Sequence, residues 1–313
     1  MELGLHLPAS GPEAQPEHII RFVQRAEELG FFCVTVADHI VIPRNIISSY
    51  PYTRDGRYMG SGHHLEQTTV MAFLAGATQR IRLVASVMIV PYRHPVVIAK
   101  ILSTLDFLSH GRVILGLGVG WMKEEFELVG APPFQERGRV TNEYIKAFKE
   151  LWTQENPTFR GKYCNFSEII FLPKPVQKPH IPIWIGGHSD QALRRAAQFG
   201  DGWHPIGGVP SIPLEPEDLS KRLDTLAGYA QSAGRNPQEI RVAFKASLYD
   251  RGTEARPGQR RRFTGNAEQI AADAREYQRA GVDCLILDVR TGDPTQTLER
   301  LEWLAKEVLP MIQ

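Results

Sequence analysis

The chain has 313 residues, 42% of them hydrophobic, and its 36 Lys and Arg against 35 Asp and Glu leave a formal net charge of +1. Nucleic acids and anionic membranes demand a net basic surface, so the expectation is no nucleic-acid and no membrane partner. No apolar run approaches the roughly 18 residues of a membrane span.

The start, Met1-Glu2-Leu3-Gly4-Leu5-His6, reads as a strand with no basic leader, and the expected location is cytoplasmic. Cys33, Cys164 and Cys284 are odd in number, far apart and without Cys-x-x-Cys spacing. That pattern excludes a disulfide framework or a thiolate zinc site.

In chain order, residues 2–7 form a short apolar strand. Residues 16–30 form a helix, with Ile19, Phe22, Val23 and Ala26 at helical spacing and Gly30 as its stop. The second strand is 32–37, followed by a helix-poor stretch, 38–62, rich in Pro, Tyr, Gly and Ser. Helix 66–78, strand 81–90 and helix 95–109 come next. Strand four, 113–118, is backed by helices 123–129 and 139–153. A mixed segment, 156–180, precedes strand five at 181–186 and helix 190–199. A short strand near 202–204, helix 216–233, strand 240–248, helix 267–280, strand 283–288 and helix 294–309 complete the series.

Eight strand-then-helix units without a compositional break predict one domain over 1–313. The predicted fold is α/β, a (β/α)8 TIM barrel with loop insertions after strands 2, 4 and 6 (38–62, 156–180 and 205–215). Apolar runs such as Leu285-Ile286-Leu287 suit parallel strands buried on both faces, and a doubly wound open sheet is the rival architecture. Barrel chemistry sits where strands end, here at Asp38-His39, Ser86-Val87, 118–121, 186–189, Trp203-His204, Ser247 and 288–290.

Several motifs are absent. The glycines at 116, 118 and 120 do not make a dinucleotide fingerprint, because its third Gly falls at Trp121. His63 and His64 point apart with no third ligand spaced to join them, so no metal site is expected. Asp38-His39 is either a turn-capping Asp beside a loop His or a proton-handling pair at the catalytic rim. Gly186-Gly187-His188-Ser189 leads from strand five into a helix whose N-terminus can receive an anion, with Ser189 as a plain cap the simpler reading. The triplet Arg260-Arg261-Arg262 reads as a solvated loop.

Together these segments resemble the luciferase-like monooxygenase superfamily, and within it the coenzyme F420 (deazaflavin)-dependent oxidoreductases. The resemblance is carried by Val36-Ala37-Asp38-His39, Arg93-His94-Pro95, Thr104-Leu105-Asp106-Phe107-Leu108-Ser109-His110-Gly111-Arg112 and Gly116-Leu117-Gly118-Val119-Gly120-Trp121. Pro182-Ile183-Trp184-Ile185-Gly186-Gly187 and Gly200-Asp201-Gly202-Trp203 continue it in the right order.

The resemblance implies a flavin-shaped ring at the mouth of the barrel. A non-proline cis peptide at Ser86-Val87 would buttress it, with Ala85, Ser86 and Val87 in contact and Gly118, Val119 and Gly120 on the other side. Asp38 and His39 match the pair that relatives place beside the ring, His39 serving proton transfer. Gly186, Gly187, His188 and Ser189 would receive the cofactor phosphate, and Trp203 completes the cofactor-binding set. One departure is that Val119 stands where the sugar-phosphate dehydrogenases carry an acid; Glu125 fits the family's helix pattern and reads as structural. The implied activity is hydride exchange between coenzyme F420 and a small organic substrate, in a homodimer. A reduced-FMN monooxygenase and a non-catalytic flavin-binding protein are the alternatives.

Overall fold

The computed structural model describes residues 1–58, 60, 62–209, 211–248, 254–256 and 259–312. Eight parallel strands close into a barrel: β1 (Glu2–His6), β2 (Cys33–Val36), β3 (Arg82–Ile89), β4 (Val113–Gly118), β5 (Ile183–Gly186), β6 (Gly202–His204), β7 (Arg241–Ser247) and β8 (Cys284–Asp288). Each pairs with its sequence neighbours, and β8 closes on β1 through Leu3 opposite Leu285 and Leu5 opposite Leu287. The expected (β/α)8 architecture is therefore the one observed.

Strand alternation sorts the side chains. Leu5, Val34, Leu83, Leu115, Ile183, Phe244 and Leu285 point outward into a large core shared with the helices. Cys33, Val84, Ile114, Trp184, Ala243, Cys284 and Ile286 point inward and fill the barrel. Side chains of parity equal to the inward set, nearer the strand ends, are polar: His6, Thr35, Ser86, Lys245 and Asp288. An apolar plug thus lies under a polar floor, and the floor faces the mouth.

The outer ring comprises α1 (Pro16–Glu28), α2 (Gln67–Ala77), α3 (Pro95–Leu108), α4 (Lys123–Leu128), α5 (Arg137–Thr153), α6 (Asp190–Phe199), α7 (Pro216–Ser232), α8 (Ala267–Arg279) and α9 (Pro294–Trp303). In α1, Ile19, Phe22, Val23 and Ala26 form the buried stripe.

Three details differ from the sequence reading. The last helix is not continuous over 294–309: a wider π turn spans Leu304–Val308, and the Leu309 N–H reaches back to the Leu304 carbonyl. Pro310 follows, and its missing N–H cannot serve an ordinary helical turn. The 156–180 insertion carries a small hairpin, Phe159–Arg160 against Asn165–Phe166, and because it follows α5 it lies at the end of the barrel away from the mouth. Another short hairpin, Glu254–Arg256 against Gln259–Arg260, follows β7.

Arg260 and Arg262 are not a solvated run. Both guanidiniums hold the buried carboxylate of Asp273, at 2.6 and 2.9 Å. The carboxylate sits on α8, eleven to thirteen positions further on, where sequence proximity gives no hint of it.

Candidate active site

Val36, the last residue of β2, delivers Asp38 and His39 to the mouth, but to different tasks. Asp38 is buried. Its Oδ2 accepts from the Ile89 N–H and from Arg93 Nη1, both at 2.8 Å, and its Oδ1 accepts from Arg93 Nη2 at 2.8 Å. Arg93 also donates to Glu66 at 2.7 Å, and Glu66 caps α2 by accepting from the Thr69 N–H. Burial raises the Glu66 pKa, but the Thr69 N–H and Arg93 outweigh it and hold the carboxyl at about 2. This ion network ties the ends of β2 and β3 to the start of α2.

His39 faces the mouth. Its Nδ1 lies 2.8 Å from Glu125 Oε2, and the Glu125 side chain is 0% exposed. The same carboxylate accepts from the Tyr92 hydroxyl and from the Ile40 and Val41 N–H groups. Burial pushes Glu125 up, and His39 with those two N–H groups more than reverses it, so the carboxyl stays below its ordinary value. An ionised Glu125 can only accept; His39 Nδ1 therefore carries a hydrogen and Nε2 is left as the basic nitrogen. The sequence reading took Glu125 for structural; the structure pairs it with His39. The signal was present, an acid two turns from nothing it could pair with locally, but its partner lies 86 residues upstream.

An aromatic wall surrounds His39. Tyr50 packs on Trp121 with ring centroids 5.0 Å apart, and Tyr58 and His64 lie 5.4 and 4.9 Å from the His39 ring. Burial lowers His64 to about 4, so the neutral ring accepts from the Tyr58 hydroxyl at 2.8 Å. His64 is thus a neighbour of His39. Among the described residues no His, Cys, Asp and Glu group is arranged to hold a metal ion.

On the floor, the bond between Ser86 and Val87 is cis, and the β3–β4 register shifts between Ala85 and Met88. Ser86 donates to His204 Nε2 at 2.9 Å, while His204 Nδ1 donates to the Ala243 carbonyl. Ala85 is fully buried beside Gly116: a Cβ on that glycine would meet the Ala85 carbonyl oxygen at 2.1 Å. The Val87 side chain occupies the space that side chains on Gly118 and Gly186 would need, with its methyls 2.6 and 2.8 Å from those absent Cβ atoms. Val119 and Gly120 follow β4 and are half-buried at the mouth.

Beyond β5 the chain turns at Gly187, whose φ of +105° suits only glycine. Ser189 caps α6 by accepting from the Ala192 N–H. The Asp190 carboxylate, which would repel an anion there, is drawn away by Arg222 and Tyr229 at 3.4 and 3.3 Å. Burial holds His188 at about 4, and its Nε2 is buried without a hydrogen-bond partner among the described residues. Trp203 is buried entirely and reaches this segment only through its indole N–H, which donates to the Gly187 carbonyl at 2.9 Å.

Most of the sequence-predicted residues lie where the strands end at the mouth, but Ala85 and Trp203 are buried in the core between strands and helices. The His39 imidazole lies on one side, the Val87 side chain packed over Gly118 and Gly186 on another, and the α6 N-terminus with His188 Nε2, unpartnered among the described residues, at the third. Residues 1–302 match the family model described as luciferase-like monooxygenase. The chain belongs to that family.

An uncharacterized protein of Mycobacterium tuberculosis is 35% identical over 285 residues, 88% of this chain and 96% of that one. An F420-dependent glucose-6-phosphate dehydrogenase of Amycolatopsis mediterranei is 32% identical over 250 residues, 79% of this chain and 69% of that protein. An FMNH(2)-dependent dimethylsulfone monooxygenase of Pseudomonas putida is 31% identical over 199 residues, 62% of this chain and 52% of that protein. Among solved structures, an F420-dependent secondary alcohol dehydrogenase superposes with a TM-score of 0.78 at 19% identity, over 100% of this chain and 99% of that one. The similar proteins of this oxidoreductase and monooxygenase family therefore include users of both F420 and FMN.

Proposed function

We propose that this protein is a coenzyme F420-dependent oxidoreductase that exchanges a hydride with a small organic substrate stacked on the deazaflavin ring. The observation that carries this reading is the His39–Glu125 pair at the strand ends beside Val87, whose side chain packs directly over Gly118 and Gly186 and would back a flat ring. The similarity to the F420-dependent dehydrogenase, longer than that to the FMNH(2)-dependent enzyme, supports it.

When bound, the cofactor supplies the hydride chemistry. Ala85, Ser86 and Val87 would support one face of the ring, and Gly118, Val119 and Gly120 would border it. The N–H groups at the start of α6, with Gly186, Gly187, His188 and the Ser189 hydroxyl, would hold a phosphate. His188 Nε2 is a buried nitrogen without a hydrogen-bond partner among the described residues, which a bound phosphate would supply. His39, its tautomer set by Glu125, would take or return the substrate proton at Nε2. Asp38 acts from behind through Arg93. The aromatic wall excludes water from this proton.

The test is fluorescence titration of the apo-protein with the deazaflavin and with FMN. Micromolar or tighter deazaflavin binding with weak FMN binding is expected, and the reverse preference overturns the reading in favour of the oxygen-using monooxygenase. A Gly186→Val variant adds branched bulk where even a Cβ stands 2.8 Å from Val87, and should weaken cofactor binding roughly tenfold or more.

We further propose a cytoplasmic homodimer. The three cysteines are unpaired, as in a reducing compartment. Val97, Ile101 and Leu108 form an exposed apolar stripe along α3, with Phe73 exposed on neighbouring α2. Such a stripe on a soluble chain marks an interface, and a second copy presents the same surface. Sedimentation should show a dimer that Ile101→Glu with Val97→Glu converts to monomer; a wild-type monomer would end the idea.

A further inference from the structure

The polar floor contains a charged group that neither the barrel nor the His39–Glu125 pair uses. Lys245 is the inward residue of Phe244-Lys245-Ala246 on β7, and burial pushes its ammonium down to about 8. It donates to His6 Nδ1 at 3.1 Å, and the Thr35 hydroxyl oxygen lies 2.8 Å from the same nitrogen. A nitrogen accepting from an ammonium carries no hydrogen of its own, so the neutral His6 ring holds its proton on Nε2. Burial, Lys245 and Arg290 keep that ring neutral, well below its ordinary pKa. No group among the described residues accepts from His6 Nε2, and it is not one of the buried atoms left unpartnered.

Charges here are unevenly paired. Asp288, the one carboxylate on the floor, is clasped by Arg290 Nε and Nη2 at 2.8 and 2.7 Å. Arg290 Nη1 donates to Ser10, and Glu13 behind it accepts from the Gly292 N–H and the Thr297 hydroxyl at Oε1, while its Oε2 has no hydrogen-bond partner among the described residues. Among the described residues no carboxylate lies within ion-pair distance of Lys245, whose acceptor is a neutral imidazole. An ammonium removed from water is costly unless an anion joins it. His39 offers a basic nitrogen, whereas His6 offers an N–H, so the two histidines present opposite hydrogen-bonding polarity to the same opening.

We propose that His6 Nε2 and Lys245 donate to an anionic oxygen group of the substrate, a carboxylate or a phosphate ester, while Arg290 neutralises the neighbouring Asp288. The proposal deepens the oxidoreductase reading and rests on it for the word substrate; the seat made by these two donors does not depend on which cofactor binds. It makes the substrate an acidic molecule anchored at the floor by its charged end, with its reacting carbon presented toward the ring and His39.

The experiment titrates inorganic phosphate and, separately, acetate into the apo forms of wild type, Lys245→Met and Lys245→Arg at constant ionic strength, read by calorimetry. Phosphate held at the α6 N-terminus is common to all three proteins, so differences report Lys245 alone. At least a tenfold weaker binding of one probe in Lys245→Met, with recovery in Lys245→Arg, is expected. Loss confined to phosphate assigns a phosphate ester, and loss confined to acetate assigns a carboxylate. Equal binding of both probes in all three proteins overturns the seat. Melting of each variant checks folding, and removal of an unpaired ammonium should not lower it. Deazaflavin titration of the same variants separates the readings: unchanged cofactor binding beside unchanged anion binding removes only the seat, whereas failed cofactor binding in wild type removes only the cofactor assignment.

Discussion

Replacing His39 by Gln is expected to lower kcat by roughly 10²–10⁴-fold while leaving cofactor affinity within about twofold, the span of a lost general acid or base. Glu125→Gln should cost roughly 10²-fold although it touches neither substrate nor cofactor. The amide keeps the volume but offers one acceptor oxygen in place of two, to His39, Tyr92, Ile40 and Val41 together. His39 then loses the anion that fixes its tautomer, and the pH profile of kcat should change in Glu125→Gln while KM does not. Because the pair acts as a unit, the double variant should be no slower than His39→Gln alone. Full activity with an unaltered pH profile in Glu125→Gln would show that His39 works without its partner. The measurement is steady-state turnover on the substrate that cofactor-loaded screening identifies.

Arg93→Met should be the most destabilising single change at this end of the barrel. It strips Asp38, whose side chain is 0% exposed, of both guanidinium bonds and leaves a buried carboxylate with the Ile89 N–H alone. Breaking one side of such a pair costs roughly 3–5 kcal/mol. At roughly 2–4 °C per kcal/mol for a chain of this order, the midpoint should fall by roughly 10 °C or more. Arg93→Lys keeps the charge but not the two-pronged geometry and should fall between. The double variant Asp38→Asn with Arg93→Met removes the stranded charge and should be more stable than Arg93→Met alone. Calorimetric melting decides it; strictly additive losses would mean that Asp38 and Arg93 do not couple.

These two clusters show what a single sequence displays. The barrel was legible because alternation in segments such as Cys284-Leu285-Ile286-Leu287-Asp288 and helical spacing in Ile19, Phe22, Val23 and Ala26 are local signals. The stations along the mouth were legible for the same reason, since they are where strands end. Partnership was not. Glu125 finds His39 from 86 residues away, Arg93 finds Asp38 from 55, and Lys245 finds His6 from 239. Those distances are set by barrel closure, which no local pattern records. One clue was readable in retrospect: Lys245 lies at an inward position of an apolar strand, where a charge has no reason to be unless something meets it.

The two long excursions over the mouth are fastened to one another. Ser211 donates to the Pro51 carbonyl at 3.1 Å, and the Tyr52 ring rests 6.4 Å from that of His188 at the head of α6. If either swings aside alone, the Ser211–Pro51 bond breaks, and movement of the first also uncovers His188 at the head of α6. Entry and exit of small molecules should then follow one concerted gate with two hinges. A substitution as remote from the chemistry as Ser211→Ala would be felt first in how long a ligand stays, before it is felt in how fast it reacts.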